Sequence, residues 1–90
     1  MTAKTGSSVH VIVRYFAAAR AAAGSDSEQL TVRPGATLGE LVDELGNRSQ
    51  ELAHVLFRCS FLCDGVAVRD RARQLRAGNT IDVLPPFAGG

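Results

Sequence analysis

The apolar positions of this chain change period twice, and each change marks a new element. From Val9 the pattern alternates, with Val9, Val11, Val13 and Tyr15 on one face and His10, Ile12, Arg14 and Phe16 on the other. β-Branched and aromatic residues at period two predict a strand. Ile12 and Phe16 place apolar bulk on the second face too, which predicts a central strand covered on both sides for part of its length. The run Ala17 to Ala23 has helix propensity but little bulk to bury, and reads as a loop or a single helical turn ending at Gly24. A second strand follows, with Leu30 and Val32 on one side among Glu28, Gln29, Thr31 and Arg33. Arg33-Pro34-Gly35 then turns the chain, because proline presets φ and glycine accepts a positive φ.

The period lengthens at Thr37-Leu38-Gly39-Glu40, a capping-box pattern whose two side chains can satisfy each other's orphan backbone donors. Leu38, Leu41, Val42 and Leu45 recur at i, i+3, i+4 and i+7, one stripe of an amphipathic helix that Gly46-Asn47 closes. Ser49 to Leu56 holds a further turn or two of helix carrying Leu52, Val55 and Leu56 inward. At Phe57 the period returns to two, with Phe57, Cys59, Phe61 and Cys63 on one face. Asp64-Gly65 is the pair that type I′ hairpin turns prefer, and Val66 and Val68 begin the returning strand. Arg69 to Arg76 reads as a solvated connection with Leu75 set into the core. Ala77-Gly78-Asn79 is a turn, and Thr80 to Leu84 a last strand with Ile81 and Val83 inward.

Strand, strand, helix, strand, short strand, strand is an α+β layout, a mixed sheet with one main helix on one face. Ninety residues suffice for one small domain. The expected organisation is a disordered leader over residues 1–8, a folded domain over 9–84 and a flexible tail over 85–90. The hydrophobic fraction of 46% and charged fraction of 21% are those of a soluble globule, and a net charge of +1 offers no footprint for nucleic acid or an anionic membrane. No apolar stretch is long enough to span a bilayer, so a cytoplasmic location is expected. Cys59 and Cys63, placed on one strand, would lie ~13 Å apart, too far to bond each other. No metal site is expected, because His10 and His54 are distant from these thiols in sequence and read as surface residues. There is no Gly-rich phosphate loop.

The chain continues past its last strand as Pro85-Pro86-Phe87-Ala88-Gly89-Gly90. Two prolines remove two ladder donors and favour an extended geometry, so six such residues would carry the terminal carboxylate ~20 Å from the sheet. The two glycines lack Cβ atoms and can thread a narrow channel. A stiff spacer, one large apolar residue and a thin reactive end suit a partner's buried active site.

Leu75-Arg76-Ala77-Gly78-Asn79-Thr80-Ile81-Asp82-Val83-Leu84 and this tail resemble the closing motif of the MoaD/ThiS sulfur carriers, and the MoaD branch most closely. Val13-Arg14-Tyr15-Phe16-Ala17 and Gly35-Ala36-Thr37-Leu38-Gly39-Glu40-Leu41 resemble the same family. The family commonly has Asp where Asn79 stands and a small residue where Phe87 stands. The resemblance implies a ubiquitin-like β-grasp fold and the role of a sulfur carrier for molybdopterin biosynthesis, the small subunit of molybdopterin synthase. It makes Gly90 the covalent site, as acyl-adenylate and then thiocarboxylate. Gly89 and Ala88 would thread the partner's channel, and Pro85, Pro86 and Phe87 would set the reach. The implied partners are a MoaE-like large subunit, a MoeB-like adenylating enzyme that uses ATP, and a cysteine-derived persulfide donor. The carrier would bind no cofactor and supply no acid or base of its own; its contribution is positional.

Other readings use the same tail. A carrier for thiamine or cysteine synthesis would keep the thiocarboxylate and change the acceptor. A protein modifier would form isopeptide bonds through Gly90; the one lysine, Lys4, makes this chain poor material for lysine-linked polymers. A β-grasp ferredoxin is excluded, since its cluster needs four cysteines and the chain has two.

Overall fold

A computed structural model describes residues 8–86. The chain runs β1 (Val9–Tyr15), α1 (Ala17–Ala23), β2 (Ser27–Val32), α2 (Leu38–Gly46), α3 (Gln50–Leu56), β3 (Ser60–Cys63), β4 (Val66–Val68) and β5 (Thr80–Leu84). The five strands form one sheet in the order β2-β1-β5-β3-β4. β1 and β5 are parallel, in the register Arg14↔Asp82 and Tyr15↔Val83, and the other pairs are antiparallel. This is the ubiquitin-like β-grasp arrangement, an α+β fold. The expected leader falls outside the described residues, Ser8 apart.

Inward positions of the strands meet the helices in one core. Val11, Val13 and Tyr15 of β1, Phe61 and Cys63 of β3, and Ile81 and Val83 of β5 pack with Leu38, Leu41, Val42 and Leu45 of α2 and Leu52 and Leu56 of α3. The predicted stripe of α2 is buried at all four positions. Its capping box is formed, with Glu40 N–H donating to Thr37 Oγ1 at 3.2 Å and Thr37 N–H donating to Glu40 Oε1 at 3.0 Å. Tyr15 Oη donates to Glu28 at 2.5 Å, and Arg48 Nη1 donates to the same carboxylate at 2.7 Å. That chain of contacts ties the α2–α3 connection to β1 and β2.

Three expectations are corrected. Ala17–Ala23 is a two-turn helix, ended as expected by Gly24 at φ +83°, because Ala19 is small enough to be buried against the core. β1 is covered on one face alone: all three helices lie on the inner side, leaving Ile12 41% exposed on the outer side. Phe57 does not join β3. It is the C-cap of α3 and is 85% exposed, since β3 begins at Ser60.

The β4–β5 connection, residues 69–79, is more tightly tied than a solvated loop. Leu38 and Gly39 N–H donate to the Arg73 and Arg71 carbonyls, both at 2.9 Å, which satisfies two orphan donors at the start of α2. A Cβ at Gly39 would lie 3.2 Å from the Arg71 carbonyl oxygen, so the close approach depends on glycine. Leu75 is buried as expected.

Candidate functional site

The tail root is the C-terminal end of β5. A buried side chain holds each position of this strand's inner face, Ile81 and Val83, while Asp82 points outward. Asp82 is itself buried beneath Arg14, whose Nε and Nη2 donate to its two carboxylate oxygens at 2.6 and 2.9 Å. The Arg14 guanidinium also sits 5.7 Å from the centre of the Phe16 ring. A bidentate pair between parallel neighbours therefore fastens β5 to β1 one turn of the ladder below the exit.

The other end of β5 is locked as firmly. Asn79 is buried; its side chain accepts from Arg76 N–H at 2.7 Å and donates to Asp64 Oδ2 at 2.8 Å. Asp64 Oδ1 accepts from Thr80 N–H at 2.8 Å. Asp64 and Gly65 have φ of +51° and +85°, the pattern of the predicted hairpin turn. Where the family commonly has Asp, Asn79 supplies both an acceptor and a donor, and the donor is what reaches Asp64.

Of the predicted tail residues, Pro85 and Pro86 are described and Phe87, Ala88, Gly89 and Gly90 lie outside the described residues. Pro85 is buried and Pro86 exposed. Both border an open recess of about 490 Å³ lined also by Ala18, His54, Val55 and Arg58. Pro85 therefore packs on the body and Pro86 is the first exposed residue after Leu84, whereas two solvated prolines were expected. The recess was not legible in the sequence, because it joins α1, α3 and the strand exit, which only the fold brings together. Exposed Phe57 belongs to the same end of α3.

Cys59 Sγ donates to the Val55 carbonyl at 3.2 Å, and burial pushes its thiol up to about 11, so it stays protonated near neutral pH. Burial also raises the Cys63 thiol, and both cysteines are unpaired. His10 lies on the exposed face of β1, its Nδ1 3.1 Å from Thr31 Oγ1, and His54 is exposed on α3. Among the described residues no cluster of His, Cys, Asp or Glu could hold a metal ion, and no helix is long and apolar enough to cross a membrane.

A five-stranded mixed sheet whose third strand runs into Pro85-Pro86 is a ubiquitin-like β-grasp arrangement. The chain matches the ThiS family over residues 13–90 and belongs to that family of sulfur carriers. Its structure is similar to a protein described as molybdopterin converting factor subunit 1 from Pyrococcus furiosus. The two are 26% identical with a TM-score of 0.78, over 88% of this chain and 99% of that one. It is likewise similar to SAMP1, a small archaeal modifier protein of Haloferax volcanii, at 25% identity and a TM-score of 0.76, over 90% and 99%. A protein–protein complex of subunits 1 and 2 of the molybdopterin-converting factor from Helicobacter pylori contains a chain of the same fold. That chain is 23% identical with a TM-score of 0.65, over 91% and 100%. No curated protein sequence matches the chain.

Proposed function

We propose that this chain is the sulfur-carrying small subunit of a molybdopterin synthase, with Gly90 as its covalent site. A carboxylate is a poor acyl donor, so an adenylating partner of MoeB type first joins it to AMP at the expense of ATP. A persulfide then attacks the acyl carbon, the bond to AMP breaks, and AMP leaves with the electron pair. A second thiol reduces the acyl disulfide and frees the thiocarboxylate. Inside a large subunit of MoaE type the thiocarboxylate sulfur attacks a side-chain carbon of the pterin precursor and displaces an oxygen leaving group, giving a thioester. Water then cleaves the acyl–sulfur bond, leaving the sulfur on the pterin and the Gly90 carboxylate free for another round. The carrier's part is reach and placement: from Pro86 onward an extended chain spans ~15 Å, enough to enter a buried site while the β-grasp body stays outside.

The supporting observation is that the family match runs through Gly90 while β5 passes straight into Pro85 and Pro86. The likeness to the Pyrococcus furiosus subunit favours the molybdopterin branch. The likeness to SAMP1 favours a second reading, a modifier that is conjugated through the same glycine. Reconstitution with a large subunit, an adenylating enzyme, a persulfide donor and the pterin precursor decides between them. Molybdopterin formation, with the mass gain of sulfur replacing oxygen on the intact carrier, is the expected result. Abundant carrier–protein conjugates in extracts, with no molybdopterin formed by purified components, would assign the modifier role.

A further inference from the structure

The nine arginines divide into two groups. Arg14, Arg20, Arg33 and Arg48 each form an ion pair, at 2.6–3.4 Å, with Asp82, Asp26, Glu40 and Glu28. Among the described residues the other five, Arg58, Arg69, Arg71, Arg73 and Arg76, make no such pair, and all five are exposed. They are not scattered. Arg69 follows β4 and lines a cleft with Ser60, the β3 residue registered opposite Leu84 at the tail root. The Arg71 guanidinium lies 5.6 Å from the Phe61 ring centre, and Arg73 Nη2 lies 3.8 Å from Cys63 Sγ. Phe61 and Cys63 are successive inward residues of β3, so the two guanidinium groups follow that strand at a spacing of ~7 Å. Arg58 borders the recess beside Pro85 and Pro86.

The backbone under this ribbon is fixed, because the Arg71 and Arg73 carbonyls cap α2. The one carboxylate within the segment 69–76, Asp70, accepts from Ala72 N–H at 2.9 Å. Four arginines against one acid in eight residues, within a chain of net charge +1, make a strongly lopsided surface. We propose that this ribbon is a docking surface for an acidic face on the protein that takes in the tail, and that it steers that encounter. It rests on the reading above only in that a partner protein receives the tail. Nucleic acid fits less well: the ribbon is short, its segment 69–76 holds no aromatic residue on which a base could stack, and it belongs to a nearly neutral chain.

The test measures association of the full-length carrier with the purified large subunit and, separately, with the adenylating enzyme of the same organism. For at least one of them, the wild-type association rate should fall ~10-fold or more as salt rises from low to several hundred millimolar. Arg69→Glu/Arg71→Glu/Arg73→Glu should lower the low-salt rate ~10- to 100-fold and flatten its salt dependence, while the triple lysine variant keeps most of the rate. Turnover at saturating carrier should be unchanged, since the tail is intact. Because Arg71 touches Phe61, Arg69→Glu/Arg73→Glu serves as a second variant, and wild-type salt dependence needs no variant. Rates insensitive to salt for both partners, or equal rates for wild type and both reversals, would overturn the proposal and leave the arginines as guards of the short edge strand β4. Tight, arginine-dependent binding to a mixed-sequence RNA oligonucleotide, with partner association unaffected, would also overturn it. A failed steering result with normal turnover leaves the carrier function standing, whereas absent turnover in wild type strikes that function alone.

Discussion

β1 and β5 lie side by side, run in the same direction and leave the sheet at the same end, yet their exits diverge completely. After Tyr15 the chain folds back: Phe16 N–H donates to the Val83 carbonyl at 3.3 Å, and α1 returns over the core with Ala19 buried. The return needs Ala17 at φ +49°, a left-handed conformation that strains any residue with a Cβ. After Leu84 the chain meets Pro85, which settles against the recess, and then exposed Pro86. Neither proline has an N–H to return to the ladder. One exit is stapled by burial; at the other, two prolines lack the N–H groups that a ladder would use. On the proposed carrier reading both matter, because a terminus that must reach a partner's site needs a root that does not move.

The contrast can be broken from either side. Deleting Gly90 should abolish molybdopterin formation in the reconstituted system while leaving the melting temperature unchanged; transfer by the shortened carrier would remove Gly90 from the chemistry. Val83→Ala, at the root shared by both exits, should destabilise the fold by about 2–3 kcal/mol in urea unfolding, from lost burial and the cavity left behind. Ala19→Leu should cost about 1–3 kcal/mol by overpacking the returning helix, with sulfur transfer at saturating partner preserved below the new melting transition. Ala17→Gly should stabilise by about 0.5–1 kcal/mol, because relief of the left-handed strain outweighs glycine's greater unfolded freedom; a loss of stability would show that the strain is not there to relieve. Pro86→Ala should leave stability within ~0.5 kcal/mol and lower transfer at limiting carrier only a few-fold, through a less pre-organised spacer.

What could be read from the sequence follows from how local each determinant is. The α2 cap, its buried stripe, the Asp64-Gly65 turn and the inward faces of β1 and β5 rest on contacts within a few residues, or on a period that any covered strand imposes. They were legible. The extent of α1 is not legible, because alanines carry propensity without a visible apolar stripe, and its helix is secured by where Ala19 lands. The place of Phe57 is not legible either, because an alternating pattern is indifferent to where a preceding helix stops. The Arg14–Asp82 pair joins residues 68 apart, and nothing in their sequence surroundings marks them as partners.

By itself the sequence determined a small α+β domain, its best helix, its hairpin, and a proline-led glycine terminus that breaks from the last strand. Those features follow from propensity, periodicity and the missing donors of proline. The tertiary structure decided which face of β1 meets solvent, that Pro85 belongs to the body, and that Arg69, Arg71 and Arg73 line β3 as one ribbon. Each of these depends on the sheet order β2-β1-β5-β3-β4 and its register, which set distances between residues that the chain keeps far apart.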